Sequence, residues 1–135
     1  GSGELRRPLQ REIERLGLEN CVRLVGGRPH HEIPIWMNAS DLFVLPSLAE
    51  GNPTVMFECL ACGTPFIGSK VGGIPGVITN EKYGNLTKPA DVESLTEAIL
   101  GAFKKEWDQN VIHKYAAHFT WESIITEIQD IYKDL

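Results

Sequence analysis

What this sequence lacks narrows its role before any motif is read. No apolar run approaches the roughly 20 residues that span a bilayer. The N-terminus carries no apolar signal core. Positive charge is not in excess: 13 Lys and Arg stand against 18 Asp and Glu, for a net charge of −5 and a pI near 5.3. That excludes the broad basic surface on which general nucleic-acid or anionic-membrane binding rests. Cysteine is scarce and odd in number, three in all, which suits a reducing compartment better than a disulfide framework. There is no internal repeat, low-complexity stretch, obvious linker or Asp-x-Asp sequence.

What is present is ordinary globular composition, 42% hydrophobic and 23% charged over 135 residues. That length is one domain's worth and can bury a core without a metal or disulfide staple. Helical and strand signals alternate. Leu5, Leu9, Ile13 and Leu16 recur at helical spacing until Gly17 stops them. Val22–Val25 reads as a short strand, and a short helix follows from about His31 to Asn38. Asp41–Leu45 is a continuous apolar run, the pattern of a strand buried on both faces. Asn52 to Cys62 reads as a helix, with Asn52 as N-cap, Pro53 at the first helical position and Gly63 as left-handed C-terminal cap. Phe66–Gly68 is a further buried strand, and Val71 to Gly76 a loop. Asn85–Thr87 is a short strand. Asp91 caps a helix with core positions Leu95, Ile99 and Ala102. Thr120 opens a last, core-packing helix with Ile124, Ile128, Ile131 and Leu135 on one face. The alternation predicts an α/β fold, a Rossmann-like, mostly parallel sheet flanked by helices.

In such a sheet, ligands collect at the C-terminal ends of the strands. Glycines and polar groups concentrate there: Gly26 to His31, Ser47 to Thr54 and Ser69 to Gly73. The middle segment is the most informative. Gly51 lets the backbone approach a ligand. The helix behind it offers its first amides, Thr54, Val55 and Met56, which favour phosphate. Glu50 and Glu58 flank that helix start, and a carboxylate, which only accepts hydrogen bonds, suits the hydroxyls of a sugar or ribose. These features together read as a site for a phosphate attached to sugars. They read equally as a capped helix with solvent-facing glutamates.

Other features carry less. Cys59 and Cys62 form a CxxC, but in the last half of a helix rather than at its N-terminus, so they read as core packing. Adjacent His30 and His31 are poorly spaced for chelation, and no metal is expected. Arg28 is the best cation near the rim, equally open to a structural role or free solvation, and Lys70 is similar. Arg6, Arg7 and Arg11 read as a solvated helix face.

The run Glu50-Gly51-Asn52-Pro53-Thr54-Val55-Met56-Phe57-Glu58, continued to Gly63-Thr64-Pro65, resembles the Glu-x7-Glu motif of the group 1 (family 4) glycosyltransferases. Ser69-Lys70-Val71-Gly72-Gly73-Ile74-Pro75 continues the likeness in register. So do Val22–Gly26, Asp41–Ser47, Gly84-Asn85-Leu86 and Phe119-Thr120-Trp121-Glu122. The resemblance implies a retaining enzyme of the GT-B fold, with two Rossmann-like domains, the C-terminal one binding a nucleoside-diphosphate sugar. By position, Glu50 is the catalytic carboxylate touching donor-sugar hydroxyls. Gly51, Asn52, Pro53 and Thr54 offer backbone amides to the sugar. The helix start through Val55 faces the diphosphate, and Glu58 holds the ribose. Gly26, Arg28 and Pro29 border the base. No metal or other cofactor is implied. The sequence departs from the family at Asn52-Pro53, where Phe-Gly is frequent, and at Gly76, where Glu is frequent.

The resemblance also makes residues 1–135 a partial donor-binding domain, starting after two strands of its sheet and without the Arg and Lys that anchor the diphosphate. On that reading a glycan or lipid acceptor binds through an N-terminal domain, and the chain alone is inactive. Val22–Val25 pairs with Asp41–Leu45 or exposes an edge to a second copy, so self-association is expected. The location implied is cytoplasmic or peripheral to a membrane. Alternative functions are a nucleotide-sugar epimerase or sugar-phosphate synthase of the same fold, or a non-catalytic nucleotide-sugar binding module.

Overall fold

A computed structural model of the chain describes residues 3–133. Its contacts divide into two compact units, one up to Ile33 and one from Pro34 onward.

The first unit is built on α1 (Arg6–Arg15), which ends as expected: Gly17 adopts φ +66° just beyond it. Ile13 is buried, whereas Leu5, Leu9 and Leu16 are half or more exposed. Val22–Val25 is not a strand. A strand requires a ladder partner, and no strand runs beside it among the described residues. The carbonyl of Leu24 instead accepts from Arg6 Nη2 at 2.9 Å, so Arg6 is not part of a purely solvated face. A short 3-10 turn, His30–Glu32, closes the unit.

The second unit holds a three-stranded parallel sheet, β1 (Phe43–Leu45), β2 (Phe66–Ser69) and β3 (Gly84–Thr87), in the order β1-β2-β3. The central strand β2 is buried at every position, as its apolar run requires. The edge strand β1 is only half-buried, and Asp41 is exposed outside it, so burial on both faces does not hold there. The helices are α2 (Ile33–Asn38), α3 (Thr54–Ala61), α4 (Ile74–Val77), α5 (Val92–Phe103), α6 (Gln109–Ala116) and α7 (Trp121–Lys133). The expected loop from Val71 to Gly76 therefore contains the start of a short helix. The core gathers Met56, Cys59 and Leu60 of α3, Phe66 and Ile67 of β2, Ile74 and Val77 of α4, Ala102 of α5 and Ile112 of α6. Asp91 caps α5 as read, accepting from the Ser94 amide at 2.9 Å. Helix α7 is not a core helix: none of its described residues is buried, and Ile128 and Ile131 are 47% and 62% exposed. Periodicity gives an apolar face but not what covers it. Leu135 lies outside the described residues. Among the described residues no helix is long and apolar enough to cross a membrane.

Candidate functional site

The rim of the second unit is organised by a clasp between two loops. Chain leaving β1 forms residues 46–53; chain leaving β2 forms residues 70–73. Gly72 adopts φ +52°, and a Cβ there would fall 1.8 Å from the carbonyl oxygen of Glu50. The Gly73 amide donates to the Gly51 carbonyl at 2.6 Å. Asn52 is part of the same junction, its Oδ1 lying 3.0 Å from where a Gly73 Cβ would sit. Only backbone without side chains fits this closely, which accounts for the Gly-Gly pair. The clasp fixes the backbone of Glu50 and Gly51. Within the same loop, Ser47 Oγ donates to Glu50 Oε1 at 2.6 Å, and both residues are half-buried.

Helix α3 begins one step later than read. Pro53, not Asn52, occupies the N-cap, with extended φ and ψ of −69° and 118° and no side-chain cap bond. Asn52 is thereby released to the clasp. Pro53 has no N–H, so it shapes the helix start and cannot offer an amide to a ligand. The Met56 amide turns back to the Pro53 carbonyl at 3.1 Å, so the amides that open the helix are those of Thr54 and Val55. Gly63 ends the helix region at φ +70°, as read.

Along α3, Thr54, Glu58, Ala61 and Cys62 follow helical spacing on the face turned from the core. Burial raises the Cys62 thiol above its ordinary value, the Glu58 charge adds to the rise, and a hydrogen bond with Asn38 opposes it. Glu58, Cys62 and Asn38 of α2 are therefore neighbours. Cys59 faces inward, fully buried, with its Sγ donating to the Thr64 carbonyl at 3.1 Å. Burial, and then Cys62, push this thiol far up. Neither thiol is primed as a nucleophile, which agrees with a packing role. Among the described residues no three metal-ligating side chains cluster.

Glu50, Gly51, Asn52, Pro53, Thr54, Val55 and Glu58 thus belong to one loop and helix of the second unit. Gly26, Arg28 and Pro29 belong to a loop of the first. There Gly26 takes φ +78°, with Arg6 Nη1 3.7 Å from where its Cβ would be. Arg28 is not simply solvated: Glu32 Oε2 lies 3.9 Å from its Nη1, with both side chains about a third exposed. Pairs of this kind contribute little to stability. Pro29 sets the entry to the turn at His30. Sequence reading missed Ser47 as a partner of Glu50, although a hydroxyl three residues before a carboxylate was a usable signal. It also missed α6, whose Asp108 accepts from the Asn110 and Val111 amides as an N-cap, and whose His113 Nδ1 lies 2.6 Å from the Ala61 carbonyl at the end of α3.

A parallel sheet flanked by helices, with a glycine clasp and a helix start at its C-terminal rim, defines a Rossmann-like α/β layer of the GT-B kind. The family model "Glycosyl transferases group 1" matches residues 1–119, and the chain belongs to that family. It is 35% identical over 114 residues to the amylovoran biosynthesis glycosyltransferase AmsK of Erwinia amylovora, covering 80% of this chain and 28% of AmsK. Among solved structures, it is similar to sucrose-phosphate synthase from Thermosynechococcus elongatus, with a TM-score of 0.78, 28% identity, and coverage of 99% of this chain and 35% of that one. It is also similar to Anabaena HepE in complex with UDP, with a TM-score of 0.78, 28% identity, and coverage of 96% and 36%. The chain therefore spans about a third of the proteins it matches.

Proposed function

We propose that the chain is the donor-binding part of a retaining, family 4 glycosyltransferase that uses a nucleoside-diphosphate sugar. The observation that carries this reading is the clasp, which fixes Glu50 beside the start of α3 at the rim where ligands of such sheets collect. In this reading Glu50 accepts from donor-sugar hydroxyls. The Thr54 and Val55 amides receive the diphosphate without a metal ion. Glu58, one turn along, accepts from the ribose hydroxyls. Solved complexes of the similar HepE with UDP and UDP-glucose support a nucleotide-sugar ligand. In this reading the acceptor is a glycan or lipid, held by a second domain of the whole protein in the cytoplasm or at a membrane surface. Transfer requires donor and acceptor in one cleft, so activity belongs to that whole protein.

Titrating the chain with UDP, ADP and GDP tests the reading directly. One nucleotide is expected to bind. Glu58→Ala should weaken it about tenfold or more, the loss of charge-assisted hydrogen bonds to two hydroxyls. Unchanged affinity in that variant would show the ribose role to be wrong.

A further inference from the structure

We propose that Ser47 is a positioning residue for Glu50 and that it governs recognition of the donor sugar rather than the nucleotide. The inference rests on the donor-binding reading above. Glu50 is pinned in two ways. Its backbone is seated against Gly72 and held through the Gly73 bond to Gly51. Its side chain is held by Ser47, which donates to Oε1 at 2.6 Å. A free glutamate samples many rotamers and must lose that freedom on binding. Here the loss is already made in the folded chain.

The bond also divides the labour of the two carboxylate oxygens. An ionised carboxylate only accepts, so it needs donors on every side. Oε1 takes its proton donor from inside the loop. Oε2 is left to take one from a ligand. Leu48 and Ala49, which separate the pair, carry no polar side chain that could compete, and both are exposed. Ser47 therefore acts on the ligand through Glu50 and only on the part of the ligand that Glu50 touches.

The test compares UDP with UDP-glucose, and the ADP and GDP pairs alongside, by titration calorimetry on the chain. In the wild type the sugar adds affinity over the bare nucleotide. Ser47→Ala should remove about tenfold of that increment and leave bare-nucleotide affinity unchanged. Ser47→Thr, which keeps the hydroxyl, should restore it. In a double-mutant cycle, Ser47→Ala should cost nothing further in a Glu50→Ala background, which has no acceptor left for the hydroxyl. A role confined to stability would instead lower the melting temperature and weaken both ligands alike. An unchanged sugar increment in Ser47→Ala, additive losses in the cycle, or a wild type in which the sugar adds nothing overturns this proposal while the nucleotide reading stands. A wild type that binds no nucleotide overturns both.

Discussion

Gly72→Ala should be among the most damaging single-methyl changes in the chain. The built Cβ lies 1.8 Å from the Glu50 carbonyl oxygen and 2.7 Å from that of Gly51, both backbone atoms that no rotamer change can move. The two loops must part by well over an ångström to restore ordinary contact. Parting them breaks the Gly73 to Gly51 hydrogen bond, a net loss of about 1 kcal/mol. Holding a Cβ at φ +52° costs about a further 1–2 kcal/mol. Together these give a destabilisation of about 2–3 kcal/mol. Two neighbours serve as graded controls. Gly73→Ala meets Asn52 Oδ1 and the Gly51 carbonyl at 3.0 Å, with φ −80°, and should cost less. Gly76→Ala meets nothing within 4 Å and sits in α4, so it should be neutral or stabilise by about 0.4–1 kcal/mol. Urea unfolding of the three variants measures the series. Gly72→Ala within 0.5 kcal/mol of wild type (about the scatter of neutral surface substitutions), or Gly76→Ala as harmful as Gly72→Ala, would refute the clasp.

Two further outcomes follow from the buried Cys59 and the half-buried Tyr115. Cys59 holds its proton in the folded state far above the unfolded range, so its contribution to stability is intact below about pH 8.5 and falls above it by about 1.4 kcal/mol per pH unit, as only the unfolded chain ionises. Cys59→Ala should flatten that part of the stability profile, and an identical alkaline slope in both proteins would count against it. Tyr115 of α6 donates to the Val77 carbonyl at 2.6 Å while its ring stacks on Tyr83 at 3.6 Å. Tyr115→Phe should keep the stack and cost about 1 kcal/mol, measured as a lower urea midpoint; no change would show the bond to be inert.

The parts of this fold that could be read from sequence are those specified by neighbouring residues. Phe66–Ser69 lies between a proline and a glycine-rich loop, and its apolar run marks it within a residue. Asp91 announces α5, and Gly63 the end of α3, through local backbone chemistry. Val22–Val25 carries two valines, which favour a strand, but propensity does not supply a ladder partner. The apolar stripe of α7 was visible, but what it packs against depends on distant chain. At the site, Glu50 and Glu58 were legible because they are eight positions apart around one helix start. The closeness of Gly72 to Glu50 was not, because it joins two loops across a strand and a helix, and no spacing rule reports such a contact.

The proposed ligand also resolves a tension in the charge. A chain of net charge −5 with two carboxylates beside its proposed anion site should repel a bare polyanion. The attraction of α3 is local. Met56, Cys59 and Leu60 bury one side of the helix completely, so its position is fixed and its opening amides point to one place. Glu50 precedes those amides and Glu58 lies about 6 Å beyond them along the helix axis. An isolated phosphate would meet the amides but also both negative charges. A diphosphate carrying a sugar on one side and a ribose on the other presents hydroxyl donors to each carboxylate, turning the two repulsive groups into acceptors that are used. Bare phosphate or nucleic acid cannot make that exchange, so under the proposed function the acidic flanks would select the ligand rather than oppose it.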